Sequence, residues 1–417
     1  MKLRDNPLVD RSVDPPVGVA RLFLAGREAT HDAHLAAYGP LPTGGAAQEL
    51  IAQLELSGLT GRGGAGFPVW RKARAIGGTP PAGLWAGSPI LIANGAEGEP
   101  RSVKDHTLLH NSPHLVIDGL LATAAAVGAS RTHIYVPRDL IAGLREAISE
   151  RRDARRIVLS EAPDSFISGE ASAVVNSIEN GVALPTDRTA RLTTTGLKGR
   201  PTLIHNVETL AHVGLIARFG ANWFRSVGSE RDPGTRLITL SGHSDRERVV
   251  EVPGDIPIVD ILRSAGVSTD AVSAALVGGY HGAWLAATDL ESRMSTAGLA
   301  PHGAQPGAGI LYVLGPRQCG LRATAEIVGY LSRESAGQCG PCRFGLPEMA
   351  SLLYRLAATG FDKSLRRDLE ATTRSVVGRG SCHHPDGTAR LVLNALDTFS
   401  ADVHAHLSGR CLHEARR

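Results

Sequence analysis

The stretch Pro89-Ile90-Leu91-Ile92-Ala93-Asn94-Gly95 is a short apolar run that ends in two turn-forming residues. Such a run is typical of a buried strand that leads into a loop. Further along, Ser112-Pro113 predicts a helix start, because serine caps helices and proline is favoured at their first position. Gly128 predicts the end of that helix. Residues 132–136 and 157–159 predict two more strands, with a helical pattern between them.

The alternation of strand, helix, strand, helix and strand predicts an α/β fold with a parallel sheet and helical crossovers. Ligands of such sheets bind at loops beyond the carboxyl ends of the strands. After Asp232-Pro233-Gly234 the pattern changes to paired strands, a short helix at 258–262 and further strands at 274–277 and 309–314. This small α+β module is similar to a ubiquitin-like fold. Helical signals dominate from Leu321 onward, and we predict a C-terminal helical bundle.

The bulk properties exclude several classes of protein. The chain has 417 residues, of which 42% are hydrophobic, so we expect more than one domain core. A net charge of +3 argues against nucleic acid or an anionic membrane surface as a partner. The N-terminus has no apolar region of a secretory signal, and no apolar run is long enough for membrane insertion. We expect a cytoplasmic protein that can still dock on a membrane complex.

A glycine-rich loop, Gly61-Arg62-Gly63-Gly64-Ala65-Gly66-Phe67, is a candidate phosphate site. Backbone without Cβ atoms can approach a phosphate closely and direct N–H groups at it. Lys72 follows downstream and adds a positive charge. The loop lacks the Gly-Lys-Ser/Thr ending of an ATP-binding loop. Taken alone, a tight surface turn explains it equally well.

Three further polar segments follow predicted strands or precede predicted helices. They span residues 94–100, 166–172 and 201–209. Carboxylates and amides at strand ends can bind a ribityl chain, a ribose or the edge of a ring. Taken alone, residues 94–100 are better explained as a solvated acidic turn, and each of the other two segments is explained as well by an ordinary loop or a helix cap.

The cysteines indicate metal or redox chemistry. The chain has five, and a cytoplasmic chain of this size does not need disulfides. Cys339 and Cys342 have two-residue spacing, and Cys382 follows. Thiolates suit iron, so these three can bind an iron–sulfur cluster. A thioredoxin-like pair is the competing interpretation, but that pair belongs early in a domain, after a strand.

These segments, in this order from about Leu56 to His406, resemble the flavin- and NADH-binding subunit of respiratory complex I. Related subunits occur in NAD-reducing hydrogenases and formate dehydrogenases. The resemblance implies a Rossmann-like FMN- and NADH-binding domain (1–233), a ubiquitin-like domain of the SLBB type (234–315) and a helical iron–sulfur domain (316–417). It further implies that NADH reduces FMN, and that electrons then pass through the cluster to a partner protein.

The resemblance also implies roles for individual positions. The phosphate side of FMN would be bound by Gly61, Arg62, Gly63, Gly64, Gly66 and Lys72. The rest of the flavin site would be lined by Asn94, Glu97, Gly169, Glu170, Ile204, His205, Asn206 and Thr209. The nicotinamide nucleotide would face Phe67 and the catalytic Glu99, with Arg188 in the place of a pocket lysine. The iron ligands would be Cys339, Cys342 and Cys382.

The chain departs from the family pattern at several positions. Ala336 replaces the first cluster cysteine, which leaves a 4Fe-4S cluster with a non-cysteine fourth ligand, a 3Fe-4S cluster, or no cluster. Ala75 and Arg191 replace two aromatic residues around adenine, and His205 replaces an asparagine.

Three functions therefore remain open. The first is an NADH dehydrogenase-like subunit. The second is an FMN subunit that exchanges electrons with a ferredoxin or another redox protein and does not use NADH. The third is a cofactor-poor structural subunit. For a redox subunit we expect a hetero-oligomer with other redox proteins.

Overall fold

The structure is a computed structural model that describes residues 17–18, 20–42, 46–77, 87–187, 190–242, 247–358 and 362–413. The chain forms two compact units. The first comprises residues up to 239 together with 248–256, and the second comprises 240–247 and the residues from 257 onward. The domain boundaries near residues 233 and 315 stay a prediction.

Three helices precede the first strand of the first unit: α1 (His31–Tyr38), α2 (Ala46–Ser57) and α3 (Val69–Gly77). The glycine-rich loop is the connection between α2 and α3. The strands that follow are β1 (Ile90–Asn94), β2 (Arg131–Pro137), β3 (Ile157–Ala162) and β4 (Thr202–Asn206). They form one parallel sheet in the order β3-β2-β1-β4. Residues 90–93 of β1 are buried, as the apolar run predicts.

The crossovers between these strands are helical. Helices α4 (Lys104–Asn111) and α5 (Pro113–Val127) connect β1 to β2, α6 (Ile141–Ser149) connects β2 to β3, and α7 (Ala171–Asn180) connects β3 to β4. The predicted α/β fold with a parallel sheet is thereby confirmed. Ser112 is the N-cap residue of α5 and Pro113 its first residue, as predicted, but the Ser112 side chain forms no capping hydrogen bond. The Ser112 hydroxyl donates to the Leu22 carbonyl instead (2.8 Å).

Strand β4 leads directly into α8 (Val207–Arg225), which packs against α5 in the core of the first unit. Strands β5 (Thr235–Ser241) and β6 (Arg248–Pro253) follow. Most residues of α8 from Val207 to Ile216 are buried. The first turn of this helix is therefore a rigid support for whatever binds beyond the end of β4.

From residue 257 onward the second unit contains α9 (Ile258–Ser264), β7 (Ala274–Val277), β8 (Ala283–Ala286), α10 (Thr296–Leu299) and β9 (Ile310–Leu314). Strand β7 pairs antiparallel with both β8 and β9. Five helices follow: α11 (Gly320–Arg333), α12 (Leu346–Ala357), α13 (Leu365–Val376), α14 (His384–Thr398) and α15 (Ser400–Leu407). In the described part of the chain, no helix combines the length and apolarity that crossing a bilayer requires.

Candidate functional site

The carboxyl ends of β1 and β4 lie side by side in the first unit, and we call the space beyond them the crevice. The two strands are parallel neighbours, with Asn94 in register with Asn206 and Ala93 in register with His205. Strand β2 lies on the other side of β1. The connection after β1 therefore leads to β2 on one side of β1, whereas the later strand β4 lies on the other side. Open α/β sheets bind ligands at such a topological switch point, in the crevice beyond the strand ends.

The glycine-rich loop is closed at its base. The Gly61 N–H donates to the Phe67 carbonyl (2.9 Å), and a β-bridge joins the flanking residues Thr60 and Pro68. Gly64 and Gly66 have φ values of 117° and 59°, where glycine is favoured. A Cβ atom on either would meet nothing within 4 Å. In the described chain no hydrogen bond engages the N–H groups of Gly63, Gly64 or Gly66. Free donors beside open space can bind an anion.

Two contacts fix this loop to the start of α8. The Arg62 N–H donates to Thr209 Oγ1 (2.9 Å). A Cβ atom on Gly63 would lie only 2.9 Å from Asn206 Cβ, so the loop backbone lies directly against this residue. The Arg62 guanidinium is buried and donates to the Thr235 carbonyl (3.2 Å). The Arg62 main chain therefore anchors the loop to α8, and its side chain anchors the loop to the start of β5.

Lys72, on α3, lies beside the glycine-rich loop. Its Nζ is 5.8 Å from the centre of the Phe67 ring. Burial lowers the pKa of Lys72, and burial is the sole cause of that shift. No carboxylate of the described residues forms a salt bridge with it. A partly buried ammonium group without a counterion is unfavourable unless a ligand or water supplies the missing charge or hydrogen bonds.

His205 contributes a second unsatisfied group. Its side chain is buried, and its Nε2 has no hydrogen-bond partner among the described residues. Burial, followed by the positive charge of Lys72, lowers the pKa of His205 to about 3. The imidazole is therefore neutral at physiological pH. Buried polar atoms are nearly always paired, so this nitrogen is a natural contact for a ligand in the crevice.

Glu97, a predicted flavin contact, accepts hydrogen bonds from other residues of the protein. Its carboxylate accepts the N–H groups of Asp105 (3.2 Å) and His106 (3.1 Å) and the hydroxyl of Ser102 (2.5 Å). A carboxylate at this position satisfies free N–H groups of α4 and complements the helix dipole. Glu97 therefore shapes the crevice by fixing the start of α4.

A buried charged network lies beside Asn206, and no pattern in the sequence indicated it. Lys104 Nζ is 2.6 Å from Asp105 Oδ1 and 2.8 Å from Glu208 Oε2. Asn206 Nδ2 donates to Asp105 Oδ2 (2.5 Å). Burial, with the charges of Glu97 and Glu208, raises the pKa of Asp105 to about 7 despite the opposing effect of Lys104. The buried Lys104 thus forms ion pairs with the carboxylates of both Asp105 and Glu208. The local signal, a Lys-Asp pair at a helix start, is common at solvated helix ends.

The loops that follow β1 and β3 are tied together at the crevice. Asn94 Nδ2 donates to the Gly169 carbonyl (2.9 Å). Glu170 caps α7, because its Oε2 accepts the N–H groups of Ser172 (2.7 Å) and Ala173 (3.1 Å). Gly169 and Glu170 therefore lie beside Asn94. The Gly169 carbonyl and the Glu170 carboxylate both accept hydrogen bonds from groups of the protein.

The remaining predicted residues of the first unit differ in exposure. Ile204 is half-buried and packs on the apolar cluster that contains Ile92. Phe67 is 43% exposed beside Lys72, and Glu99 is half-buried. Arg188 lies outside the described residues.

The three predicted iron ligands lie together in the second unit. A π-helical turn, Pro341–Gly345, precedes α12 and contains Cys342. Burial and the neighbouring Cys339 and Cys382 raise the pKa of Cys342 to about 12. Burial acts in the same direction on Cys339, but N–H groups of Cys342 and Ser381 outweigh it and lower the pKa of Cys339. Three thiols of this kind match the soft ligand set that iron–sulfur clusters use.

A surface groove of about 730 Å³ adjoins this cysteine group. Its lining includes Arg343, Phe344 and Arg379. The Phe344 ring is 72% exposed, although it lies two residues from the buried Cys342. The groove thus presents one large apolar side chain and two exposed arginines to solvent.

Comparison with known proteins agrees with these two sites. The family model "Nuo51 FMN-binding domain" matches residues 54–215. The model "NADH-ubiquinone oxidoreductase-F iron-sulfur binding region" matches residues 322–406. The first match includes the glycine-rich loop and the crevice, and the second includes the three clustered cysteines.

Curated relatives match over most of their length. The chain is 30% identical over 382 residues to an F subunit of the NADH-quinone oxidoreductase of Rhizobium meliloti (strain 1021), covering 87% of this chain and 89% of the relative. It is 31% identical over 382 residues to the F subunit of the NADH-quinone oxidoreductase of Mycobacterium bovis, covering 87% of this chain and 85% of the relative.

Solved structures of an NAD+-reducing NiFe-hydrogenase are also similar. The H2-reduced form aligns with a TM-score of 0.76 at 26% identity, covering 88% of this chain and 63% of that chain. The air-oxidised form aligns with a TM-score of 0.78 at 26% identity, covering 89% and 64%. This chain thus spans less than two thirds of the hydrogenase chain. The predicted resemblance and the predicted oxidoreductase class are confirmed, and the chain belongs to the family of NADH-quinone oxidoreductase F subunits.

Proposed function

We propose that this chain is a redox subunit that binds FMN and an iron–sulfur cluster, accepts reducing equivalents from NADH and passes electrons to a partner protein. The observation on which this rests is the attachment of the glycine-rich loop to the first turn of α8. Through the Arg62–Thr209 bond, free N–H groups of the loop are held at the switch point of the sheet. Lys72 adds an unpaired positive charge beside them.

The residues of the crevice fit the parts of FMN. Gly63, Gly64 and Gly66 offer free N–H groups, and Lys72 offers charge, for the phosphate. The orphaned His205 Nε2 offers a hydrogen-bond contact for the polar parts of the flavin. Asn94 is held in place by the Gly169 carbonyl, so it orients what it binds with little loss of side-chain entropy.

Bound FMN would supply the chemistry that links a two-electron hydride donor to one-electron acceptors. The chain's own residues would orient the donor. Phe67 presents an exposed ring next to the loop, and Glu99 follows the Glu97 cap of α4. We assign these two side chains to the nicotinamide nucleotide, with Glu99 as the catalytic group.

The cluster would be held by Cys339, Cys342 and Cys382. The other two cysteines, Cys319 and Cys411, lie apart from this group and next to each other. We therefore propose three protein thiolates, as in a 3Fe-4S cluster or a 4Fe-4S cluster with a non-cysteine fourth ligand. Burial of Cys342 would lower the local dielectric and influence the cluster potential.

We further propose three domains within the two compact units: residues 1–233 for FMN and NADH, 234–315 as a ubiquitin-like SLBB domain, and 316–417 as a helical bundle for the cluster. The antiparallel strands β7, β8 and β9 with the short α9 support the second assignment. The run of helices from α11 to α15 supports the third.

The partner is proposed to be another redox subunit in a hetero-oligomer. The relatives are named as parts of larger enzymes. The groove that contains Phe344 and the arginines Arg343 and Arg379 adjoins the cysteine group. We propose this groove as the contact for an acidic electron acceptor, because its two arginines outnumber its one acidic lining residue, Glu348.

A second candidate function is electron exchange with a ferredoxin in place of NADH. The observation that favours it is the loss of two aromatic residues around adenine, where Ala75 and Arg191 stand and both are exposed. Such a change weakens stacking of the nucleotide, although an arginine can still stack on adenine.

One experiment separates these functions. The protein is purified anaerobically, flavin and iron are quantified, and the absorbance spectrum is recorded before and after NADH is added. Bleaching of the flavin by NADH supports the first function. Flavin that is reduced by ferredoxin but not by NADH supports the second. A protein that retains neither flavin nor iron after reconstitution is a cofactor-poor structural subunit and contradicts both. Cys339→Ser should lower the iron content of the protein, while the matched Cys411→Ser should leave the iron content unchanged.

A further inference from the structure

Three side chains of metal-ligand type converge in the second unit, away from the proposed cluster cysteines. The Cys319 and Cys411 sulfurs and one His406 ring nitrogen all lie within 4.8 Å of one another. Cys319 and His406 are buried, and Cys411 is half-buried. Neither the glycine-rich loop nor the Cys339 group uses any of these three side chains.

The backbone brings these residues together from distant parts of the chain. Cys319 is the N-cap residue of α11, and His406 lies in the last turn of α15. Gly409 has a φ of 75°, a conformation that favours glycine. Its N–H donates to the His406 carbonyl (2.9 Å), so the chain reverses after α15. This reversal returns Cys411 to the side of His406.

The orientation of His406 is that of a metal-binding histidine. Its Nδ1 lies 3.0 Å from the Leu356 carbonyl, which can only accept, so Nδ1 bears the proton. Nε2 therefore carries the lone pair, and it accepts a hydrogen bond from the Cys319 thiol, with 3.5 Å between Sγ and Nε2. A hydrogen bond from the second ring nitrogen to a carbonyl is the usual way in which proteins orient histidine ligands.

The spacing fits a tetrahedral ion. With a zinc–sulfur bond of about 2.3 Å and a zinc–nitrogen bond of about 2.0 Å, tetrahedral angles place the two ligand atoms about 3.5 Å apart. The distance between Cys319 Sγ and His406 Nε2 is 3.5 Å. Two thiolates and one imidazole form a soft, nitrogen-containing set that suits zinc. One coordination position would remain for water.

We propose that Cys319, His406 and Cys411 bind a Zn²⁺ ion that fastens the segment after α15 to the start of α11. Two metal-free arrangements compete with the zinc site: a Cys319 thiol that only donates a hydrogen bond to His406 Nε2, and a disulfide between the two cysteines. A disulfide would remove the thiol proton and leave the buried Nε2 without a hydrogen-bond donor. The zinc site is independent of the proposed redox function, because none of its ligands belongs to the flavin crevice or to the Cys339 group.

The test uses the full-length protein, freed of metal by a chelator and kept reduced. Zn²⁺ binding is measured by competition with a chromophoric chelator, and Co²⁺ is added in parallel for its thiolate charge-transfer absorption. The variants are Cys411→Ser, which changes a half-buried residue, and Cys382→Ser as a matched control. Cys382→Ser leaves the three proposed ligands intact.

We expect wild-type protein to bind about one Zn²⁺ ion more per chain than Cys411→Ser, since each site holds one ion. Cys382→Ser should retain that ion and its Co²⁺ absorption. The same Zn²⁺ stoichiometry in wild type and Cys411→Ser, with matching Co²⁺ spectra, would overturn the proposal. A Cys319–Cys411 disulfide found by mass spectrometry in anaerobically purified protein would overturn it as well. Circular dichroism of both variants confirms that the comparison is made between folded proteins.

Discussion

Replacing Thr209 with valine removes one hydroxyl and keeps the shape of the side chain. That hydroxyl accepts the Arg62 N–H at 2.9 Å and joins segments 147 residues apart. Thr209 is 0% exposed and Arg62 is 3% exposed, so water cannot replace the acceptor while the loop stays in place. A buried donor left without a partner costs about 1–3 kcal/mol.

This free energy should be measurable in one of two ways. If the loop stays attached, the free energy of unfolding of the flavin-free protein falls by about 1–3 kcal/mol. If the loop detaches, FMN binding must supply the free energy that restores its attachment. The dissociation constant of FMN then rises about 5- to 140-fold, since 1.4 kcal/mol is a factor of ten. Urea denaturation measures the first quantity, and quenching of FMN fluorescence on binding measures the second.

Thr209→Ser is the matched control, because it keeps the acceptor and loses only a methyl group. We expect it to bind FMN with nearly the affinity of the wild type. If Thr209→Val leaves both the unfolding free energy and the FMN affinity unchanged, the loop is not held by this bond. The placement of the phosphate site at the start of α8 would then be wrong.

Four other outcomes are expected. Lys104→Met leaves buried carboxylates without their cation and should lower the free energy of unfolding by about 3–5 kcal/mol, measured in urea. The pKa of Asp105 is raised from 3.8 to about 7. Its contribution to stability is therefore lost as pH rises from about 4 to about 7, and Asp105→Asn should flatten that decline. The pKa of His205 is lowered from 6.5 to about 3. Stability should therefore fall as pH drops from about 6.5 to about 3, a dependence that His205→Asn should remove. Phe344→Ala should slow electron transfer to the partner while flavin and iron contents, assayed chemically, stay at wild-type levels.

The elements of the first unit were predictable because their signals are local. The apolar run before Asn94 specifies a buried strand, and Pro113 and Gly128 specify where a helix begins and ends. The glycine-rich loop was also recognisable, because its glycines are adjacent in sequence. Its neighbour Asn206 was assigned to the same site only through the resemblance to a family.

The polar contacts were not predictable, because the residues that form them are distant in sequence. The Asn206–Asp105 bond joins residues 101 positions apart, and Cys319 contacts His406 across 87 positions. Nothing in a local pattern distinguishes a carboxylate that caps a helix from one that binds a ligand. Glu97 was assigned to the flavin site through the resemblance to a family, and the hydrogen bonds that its carboxylate accepts at the start of α4 could not be predicted from the sequence.

The attachment of the glycine-rich loop to α8 also fixes when the cofactor can be acquired during synthesis. The loop leaves the ribosome long before its anchor, since 147 residues separate Arg62 from Thr209. At about 5–20 residues per second, that interval lasts roughly 7–30 s. During it β1 has no β4 to pair with. A site that needs α8 for its loop cannot be complete before α8 has emerged, and it is complete in sequence before the cysteine-containing helices are made.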